Sequence, residues 1–484
     1  MDVLVYQCRQ YIVQLLKKYI IGAREQGLAE ALLIGYKDDL DKDLVRSYSD
    51  TGVVHIIAIS GMHLALIYGM LLWLTGKMGR YKKLQLLRLL LVLSGLWLFT
   101  LMAGAQASVV RSAVMFTCIA LSGWLERKTS IYNTLALSAF LLLCFRPCWL
   151  WDAGFQLSYA AVISIVLLYR PIYGWLFFTN KMVDAVWKTA AISMAAQIFT
   201  TPFSLYYFHQ FPLLFVFTNL AAVPLSSVVL FALILLCLLA FIPLLASPLG
   251  SLVSFLIICM NSCIEIIREV PFSLLTGISI SAVQASLLLV MAAATCSMAV
   301  NKKASGKIVW LVALGGFTGL HSMSLYHASM QQQLVVYNIP GRKAIHFING
   351  RAALLLTDTM EKNDQPYLFS IAPSNIVYHI RKERICRTGN ADLDFAGRKI
   401  VLISHPILLG RSKKNIDLLI VSGQKKVDPN YVLEHLHPGL VIVDASVPDW
   451  RRKEWSEACR EKNFRYYCTA DEGGFVMNLQ PLPL

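Results

Sequence analysis

Residues 51–76 read Thr-Gly-Val-Val-His-Ile-Ile-Ala-Ile-Ser-Gly-Met-His-Leu-Ala-Leu-Ile-Tyr-Gly-Met-Leu-Leu-Trp-Leu-Thr-Gly. The run is long enough to cross a bilayer, since about 20 helical residues span the hydrocarbon layer. It also carries His55, Ser60, Gly61 and His63, where a lipid-facing helix normally has apolar side chains. Such groups are costly in a membrane and predict a functional polar helix, although a histidine that only bonds to a neighbouring helix would give the same pattern.

The spacing within this stretch makes two further predictions. Ser60 and His63 are three residues apart, so they are expected to share one face of a helix. Gly61 lies between them and predicts either a close helix contact or a kink.

The composition excludes an ordinary soluble globular protein, because 56% of the 484 residues are hydrophobic and only 15% are charged. Residues 1–330 contain 23 Lys and Arg against 13 Asp and Glu, and residues 331–484 contain 21 against 16. Charged residues in the first part cluster between apolar runs, which indicates a polytopic membrane protein with a soluble tail. The 11 cysteines are scattered and are predicted to be small apolar fillers.

The apolar runs predict about ten membrane spans in an α-helical domain covering residues 53–325. They lie at residues 53–75, 84–103, 106–125, 131–146, 151–169, 186–208, 212–245, 249–268, 278–300 and 308–325. The seventh contains Pro224, which predicts a discontinuous helix or a re-entrant piece. Residues 1–52 predict short amphipathic helices suited to the membrane surface.

The basic loops orient this stack. Clusters of Lys and Arg follow the first, third, fifth and ninth predicted spans, so all of them fall on one side, which the positive-inside rule makes cytoplasmic. Both the N-terminal region and the tail are then expected outside the cytoplasm.

The tail, residues 331–484, predicts a soluble α/β domain with one core. Its short β-rich runs are residues 334–338, 353–356, 399–404, 418–422 and 440–444. Residues 451–462 predict an amphipathic helix.

The string His-Ile-Ile-Ala-Ile-Ser-Gly-Met-His at residues 55–63 resembles the signature of the competence-type DNA-uptake channels, the ComEC family. Further stretches resemble the family's motifs in the same order, namely residues 103–113, 152–159, 197–202 and 219–224. The resemblance covers roughly residues 26–325. It implies a multi-pass channel in the bacterial cytoplasmic (inner) membrane that imports single-stranded DNA during natural transformation. It also implies two protein partners, an extracytoplasmic DNA receptor and a cytoplasmic ATP-driven DNA translocase, and leaves a homo-oligomer open.

The sequence departs from typical members at both ends. It is expected to start too late to hold the family's OB-fold. The tail resembles a degenerate metallo-β-lactamase-like domain, but its histidines do not form the His-x-His-x-Asp-His string: Pro406 follows His405, and Pro438 follows the His435 and His437 pair. A dinuclear hydrolase needs several convergent imidazoles and carboxylates. We therefore expect no metal, no cofactor and no nuclease activity.

A DNA strand carries a charge at every phosphate and cannot cross hydrocarbon without a polar, preferably cationic lining. The candidate lining residues are His55, Ser60, Gly61, His63, Arg111, Asp152, Gln156 and Gln197. Arg111 is predicted either to contact phosphate through its forked guanidinium or to form an ion pair with Asp152. Gln156 either contacts DNA or joins two helices.

Two other functions fit the same residue types. An intramembrane hydrolase would use Ser60 as nucleophile, His63 or His55 as base and Asp152 as the orienting acid. A small-solute transporter would place its site where spans are broken around Pro202 and Pro224. The sequence has no Gly-x-x-x-x-Gly-Lys-Ser/Thr loop, so energy for transport is expected from another protein.

Overall fold

The computed structural model describes residues 2–80, 82–126, 130–301, 305–358, 360–406 and 414–479. The chain forms two compact units, Met1–Gly315 and Gly316–Leu484. Residues 1–52 belong to the first unit together with the apolar helices that follow them.

The first unit is helical. Its helices are α1 (Asp2–Tyr19), α2 (Ala23–Ile34), α3 (Lys42–Asp50), α4 (Val54–Ile57), α5 (Gly61–Leu74), α6 (Lys82–Met102), α7 (Ala107–Trp124), α8 (Ile131–Phe145), α9 (Ala153–Tyr173), α10 (Lys181–Phe208), α11 (Phe215–Leu239), α12 (Pro243–Glu269), α13 (Ala282–Asn301) and α14 (Ser305–Met330), the last of which runs into the second unit. Strands β1 (Gln210–Pro212) and β2 (Leu274–Thr276) pair antiparallel.

The ten predicted apolar segments overlap the helices α5 to α14 in order, although the first also contains α4 and the seventh reaches the start of α12. Among the described residues, six helices are long and apolar enough to cross a membrane. These are Leu84–Met102, Ala107–Trp124, Ala153–Tyr173, Phe215–Leu239, Pro243–Glu269 and Ser305–Met330. The helices α5, α8 and α13 are apolar but shorter.

The helix breaks lie at other positions than expected. The first apolar segment is not one helix, because α4 ends at Ile57 and α5 begins at Gly61. The seventh segment is discontinuous, but α11 continues through Pro224 and ends at Leu239, before α12 begins at Pro243. Pro202 likewise lies inside the continuous α10.

The N-terminal helices are packed into the core of the first unit. Leu16 of α1 and Leu28 and Leu32 of α2 are fully inaccessible and belong to the same cluster as Val229 of α11 and Val253 of α12. The apolar face predicted for α1 is therefore covered by protein helices rather than left for the membrane surface.

The helices α1 and α12 approach each other closely at Gly250. A Cβ atom added there would lie 2.3 Å from the carbonyl oxygen of Tyr19. One turn along α12, the hydroxyl of Ser254 accepts a hydrogen bond from the backbone N–H of Ile21 at 2.9 Å. A glycine is required where two backbones come this close.

The second unit contains two five-stranded sheets. Its strands are β3 (Gln332–Val336), β4 (Ala344–Asn349), β5 (Ala352–Thr357), β6 (Lys382–Arg387), β7 (Ala391–Phe395), β8 (Arg398–Ile403), β9 (Lys414–Val421), β10 (Leu436–Val443), β11 (Tyr466–Cys468) and β12 (Phe475–Asn478). Its further helices are α15 (Ala372–Val377), α16 (Pro429–His435), α17 (Asp449–Glu461) and α18 (Thr469–Glu472). The sheet orders are β11-β10-β9-β8-β7 and β12-β3-β4-β5-β6.

Alternation along the strands produces four layers, because successive side chains point to opposite faces. Ile345 and Phe347 face Ile400 and Leu402 of the other sheet in one shared core. The opposite face of the β8–β10 sheet packs against α16 and α17, with Trp455 fully buried. The opposite face of the β3–β5 sheet packs against residues 367–372.

The five predicted β-rich runs of the tail overlap β3, β5, β8, β9 and β10, and the predicted helix overlaps α17. The α/β character of the tail is thus confirmed.

Candidate functional site

The polar stretch of the first apolar segment lies at the break between α4 and α5. Ser60 is the N-cap of α5 and His63 is its third residue. The backbone N–H of Ser60 donates to Nδ1 of His63 at 3.1 Å. His63 therefore fills the place that Glu or Gln takes in a capping box, and this bond, rather than a shared mid-helix face, brings the two residues together.

This contact fixes the tautomer of His63. An amide N–H can only donate, so Nδ1 is the acceptor and the ring proton sits on Nε2. His63 is fully buried, and Nε2 has no hydrogen-bond partner among the residues that the structure describes. The hydroxyl of Ser60 lies 3.2 Å from the same Nδ1, whose lone pair already accepts from the backbone.

The catalytic group required by an intramembrane hydrolase is not assembled. Asp152 is the N-cap of α9, where its Oδ1 accepts from the N–H of Phe155 at 2.8 Å. It forms no ion pair with any described histidine, lysine or arginine. His55 is exposed on α4 and hydrogen-bonds to the backbone of Gly52.

Arg111 is buried in α7 with a charge that no described carboxylate neutralises. Its side chain is 2% exposed, and the predicted ion pair with Asp152 does not form. Nη2 donates to Ser112 Oγ at 3.2 Å, whereas Nε and Nη1 have no acceptor within the described part of the chain. The guanidinium lies 5.3 Å from the ring centre of Tyr159, a cation–π contact.

The helix α7 lies directly against the break between α4 and α5. A Cβ atom on Gly61 would be 2.7 Å from Ser112 Oγ and 3.2 Å from Arg111 Nη2. The hydroxyl of Ser108 donates to the carbonyl oxygen of Ile59 at 3.2 Å. Gly61 therefore makes a close helix contact, one of its two predicted roles, and the sequence-distant Arg111 joins the polar group at the start of α5.

The remaining predicted residues lie on α9 and α10. Gln156 donates to the carbonyl of Leu150 at 2.8 Å, and its Oε1 accepts from the hydroxyl of Tyr207 at 3.0 Å. This places Gln156 as a bridge between helices. Gln197 is half-buried on α10, and no hydrogen bond of its side chain to another described residue is found.

Sequence reasoning missed several buried polar side chains of the first unit. Those with unpartnered atoms among the described residues include Glu30, His209, Asn219 and Gln284. Glu30 is fully inaccessible on α2, and its burial raises the pKa of its carboxyl to about 7. The helix α2 contacts α4 and α11, and α11 contacts α5. Glu30 is the one charged residue in the apolar run from Leu28 to Ile34, and this pattern could have indicated its burial from the sequence.

In the second unit, His405, His435 and His437 lie on different parts of the fold. His435 pairs through Nδ1 with the carbonyl of Tyr431 at 2.8 Å, and His405 and His437 lie on other elements. Within the described ranges, which leave out 407–413, no three His, Cys, Asp or Glu side chains group as metal ligands.

Together, the apolar helices with a cationic side chain enclosed among them define a multi-pass membrane protein. Residues 32–304, more than half of the chain, match the family described as Competence protein. The chain therefore belongs to the competence protein family. Residues 334–479 match the ComEC C-terminal domain, a range that lies within the α/β second unit.

Two curated proteins are similar to this chain. "ComE operon protein 3" of Bacillus subtilis (strain 168) is 29% identical over 222 residues, covering 44% of this chain and 27% of that protein. "Recombination protein 2" of Haemophilus influenzae is 28% identical over 233 residues, covering 46% of this chain and 29% of that protein. The matched segments thus span less than a third of either relative. No solved structure matches the chain.

Proposed function

We propose that this protein is an integral membrane channel that imports single-stranded DNA into the cytoplasm during natural transformation. Membership of the competence protein family supports the process. The observation that carries the proposal is the guanidinium of Arg111, which lies inside a bundle of apolar helices with no described carboxylate beside it. A buried, uncompensated cation is unfavourable on its own and suits the passage of a polyanion.

The proposed path passes the break between α4 and α5, lined by His55, Ser60, Gly61, His63 and Arg111. His63 and Arg111 support this path because both side chains are buried and only partly hydrogen-bonded, and the other three residues lie beside them at the break. Asp152, Gln156 and Gln197 are proposed to form the adjoining wall on α9 and α10. In that role they position helices as well as border the path.

The proposed topology has ten spans, with the N-terminal region and the second unit outside the cytoplasm. Six long apolar helices support it, and α5, α8, α10 and α13 supply the others. The basic loops after the first, third, fifth and ninth spans support the orientation.

The second unit is proposed to be a degenerate metallo-β-lactamase-like domain that has no nuclease activity. Its helix, sheet, sheet and helix layers support the fold. The missing ligand string after His405 supports the loss of activity. An extracytoplasmic DNA receptor and a cytoplasmic ATP-driven translocase are the proposed partners.

Transformation with added DNA tests the channel. Deleting the gene, or replacing Arg111 or His63 by Ala, is expected to abolish transformants while DNA still binds to the cell surface. Arg170→Ala is the matched control, because Arg170 is an exposed arginine on α9. Normal transformation in the Arg111→Ala strain, with protein present at the wild-type level, would contradict the proposal.

A further inference from the structure

We propose that the N-terminal end of α5 and the Arg111 side chain form a binding site for one phosphodiester group of the transported strand. This inference rests on the proposed function and assigns the step at which the protein holds the DNA backbone.

The end of α5 supplies half of the site. The N–H groups of the first helical turn have no partner within the helix, and they carry the positive end of its dipole. Leu64 is the first α5 residue whose N–H bonds back to Ser60, at 3.3 Å. The amides of Gly61 and Met62 precede this bond in the same turn, so the helix itself offers them no acceptor.

Arg111 supplies the other half. Its Nη2 lies 3.2 Å from the point where a Cβ of Gly61 would stand, so the guanidinium is directed at the first residue of α5. Arg111 is only 2% exposed, and both Nε and Nη1 lack acceptors among the described residues. Nε and Nη1 each share an edge of the guanidinium with Nη2, so the second N–H of Nη2 can complete a two-pronged contact to one phosphate on either edge.

The guanidinium is held in place before any ligand arrives. Tyr159 stacks beneath it at 5.3 Å, and the Tyr159 hydroxyl is hydrogen-bonded to Ser138 at 2.9 Å. Phe155 packs against the Tyr159 ring, with 4.6 Å between ring centres. A preorganised donor loses little conformational entropy on binding, which favours even a single contact.

The charge of the site selects the ligand. One guanidinium, aided by a helix end worth about half a charge, balances the single negative charge of a diester. The surrounding side chains, including Ile59, Leu64 and Val109, are apolar and fully buried. The proposed contact is to the phosphate alone, and phosphate contacts carry no sequence information, so recognition is independent of sequence.

Gly61 allows the Arg111 side chain to approach the N-terminal end of α5. A side chain at this position would collide with Ser112 Oγ and press on Arg111 Nη2. The hydroxyl of Ser108 also donates to the Ile59 carbonyl oxygen, which ties α7 to the residues just before α5.

Binding of a short single-stranded oligonucleotide to the full chain in lipid nanodiscs tests the site. Salt of about 0.3 M screens the basic surface. The wild-type protein is expected to bind a phosphodiester strand more tightly than a strand of the same sequence with an uncharged methylphosphonate backbone. Arg111→Gln is expected to weaken phosphodiester binding about tenfold and to lower the slope of log K against log salt by about 0.7, the value for one lost contact to a single strand.

Further variants separate charge from geometry. Arg111→Lys keeps the charge without the fork and should fall between wild type and Arg111→Gln. Gly61→Ala should weaken binding by displacing the guanidinium. Arg170→Gln and Gly69→Ala are the controls, since Arg170 is exposed and an added Cβ on Gly69 meets nothing within 4 Å. Both should bind as the wild type does.

Competition identifies the source of the phosphate. Dimethyl phosphate should compete with the oligonucleotide, whereas phosphatidylglycerol vesicles should not. Competition by the vesicles alone would make this a lipid headgroup site and overturn the proposal. Equal affinity of wild type and Arg111→Gln for the phosphodiester strand would overturn it too.

The site and the channel can fail separately. If Arg111→Gln abolishes transformation but leaves oligonucleotide binding unchanged, the channel stands and the phosphate site falls. If the variant loses binding and still transforms normally, Arg111 binds phosphate but does not act on the transported strand, which overturns the proposal.

Discussion

The hydroxyl of Tyr48 donates to Oδ1 of Asn261 at 2.8 Å, joining α3 to α12 across 213 positions of the chain. Both side chains are buried, Tyr48 completely. The bond anchors the N-terminal segment to the helices at the core of the first unit. No pattern in the sequence predicts this contact.

Tyr48→Phe should lower the stability of the first unit. The substitution keeps the ring and leaves the Asn261 oxygen buried without its donor, which typically costs about 1–3 kcal/mol. The midpoint of thermal unfolding of the purified protein in detergent should fall. Tyr11→Phe is the control, because Tyr11 is 66% exposed and its hydroxyl is solvated. Equal midpoints for the two variants would show that the buried bond contributes nothing.

Gly250→Ala should separate α1 from α12. Its new methyl group would stand 2.3 Å from the Tyr19 carbonyl, so backbone must move, and overpacking of this kind costs about 1–3 kcal/mol. Amide hydrogen exchange should accelerate in α1 and α2. Gly69→Ala, a glycine with open space around it, should leave exchange unchanged or slow it slightly. Unaltered exchange in the Gly250 variant would argue against the close contact.

Asp152→Ala and Asp152→Asn distinguish a helix cap from a charged path residue. The carboxylate caps α9 through the Phe155 amide, a role that Asn performs and Ala does not. We expect Ala to cost about 1 kcal/mol of stability and Asn to retain both stability and transformation. Transformation lost in the Asn variant, at normal protein level, would instead show that the negative charge itself is needed.

Asp444 makes the second unit sensitive to pH. The side chain follows β10 and is 1% exposed, and burial raises the pKa of its carboxyl to about 7. An unfolded Asp titrates near 3.9, so between about pH 4 and pH 7 the folded state binds the extra proton. Stability should therefore fall as pH rises through this window, by about 4 kcal/mol at most, and stay level above it.

Asp444→Asn should flatten this pH dependence, because an amide oxygen can still accept from the Ser446 N–H, now bonded to Asp444 Oδ1 at 3.0 Å. Protection factors of amides in β9 and β10, compared at pH 5 and pH 8 in the full chain, provide the measurement. Parallel profiles for wild type and variant would exclude Asp444 as the responsible group.

Apolar length and strand alternation were sufficient to predict much of the architecture. Most apolar runs form helices because burial or lipid contact favours them, and the β-rich runs form strands of the tail. The break at residues 58–60 escaped prediction because Ala58 and Ile59 are apolar, so hydropathy is continuous across it. The pairing of Ser60 with His63 at a helix start was the local clue, since Ser is a favoured N-cap.

The geometry around Arg111 could not be predicted from the sequence. Two alternatives were open for its side chain, a phosphate contact or an ion pair with Asp152, and the ion pair does not form. The actual neighbours are Gly61, Ser112 and Tyr159, which carry no charge and so give no signal in a single sequence. Contacts between distant helices depend on packing, which periodicity does not encode.

The last strand of the chain has a consequence for how the gene can be altered. The strand β12 pairs antiparallel with β3, placing Phe475 beside Val336 and Met477 beside Leu334. A stop codon ahead of Phe475 would strip β3 of this neighbour and leave an unpaired, apolar rim on which other molecules could stack. Variants truncated before Phe475 should therefore accumulate as insoluble aggregates.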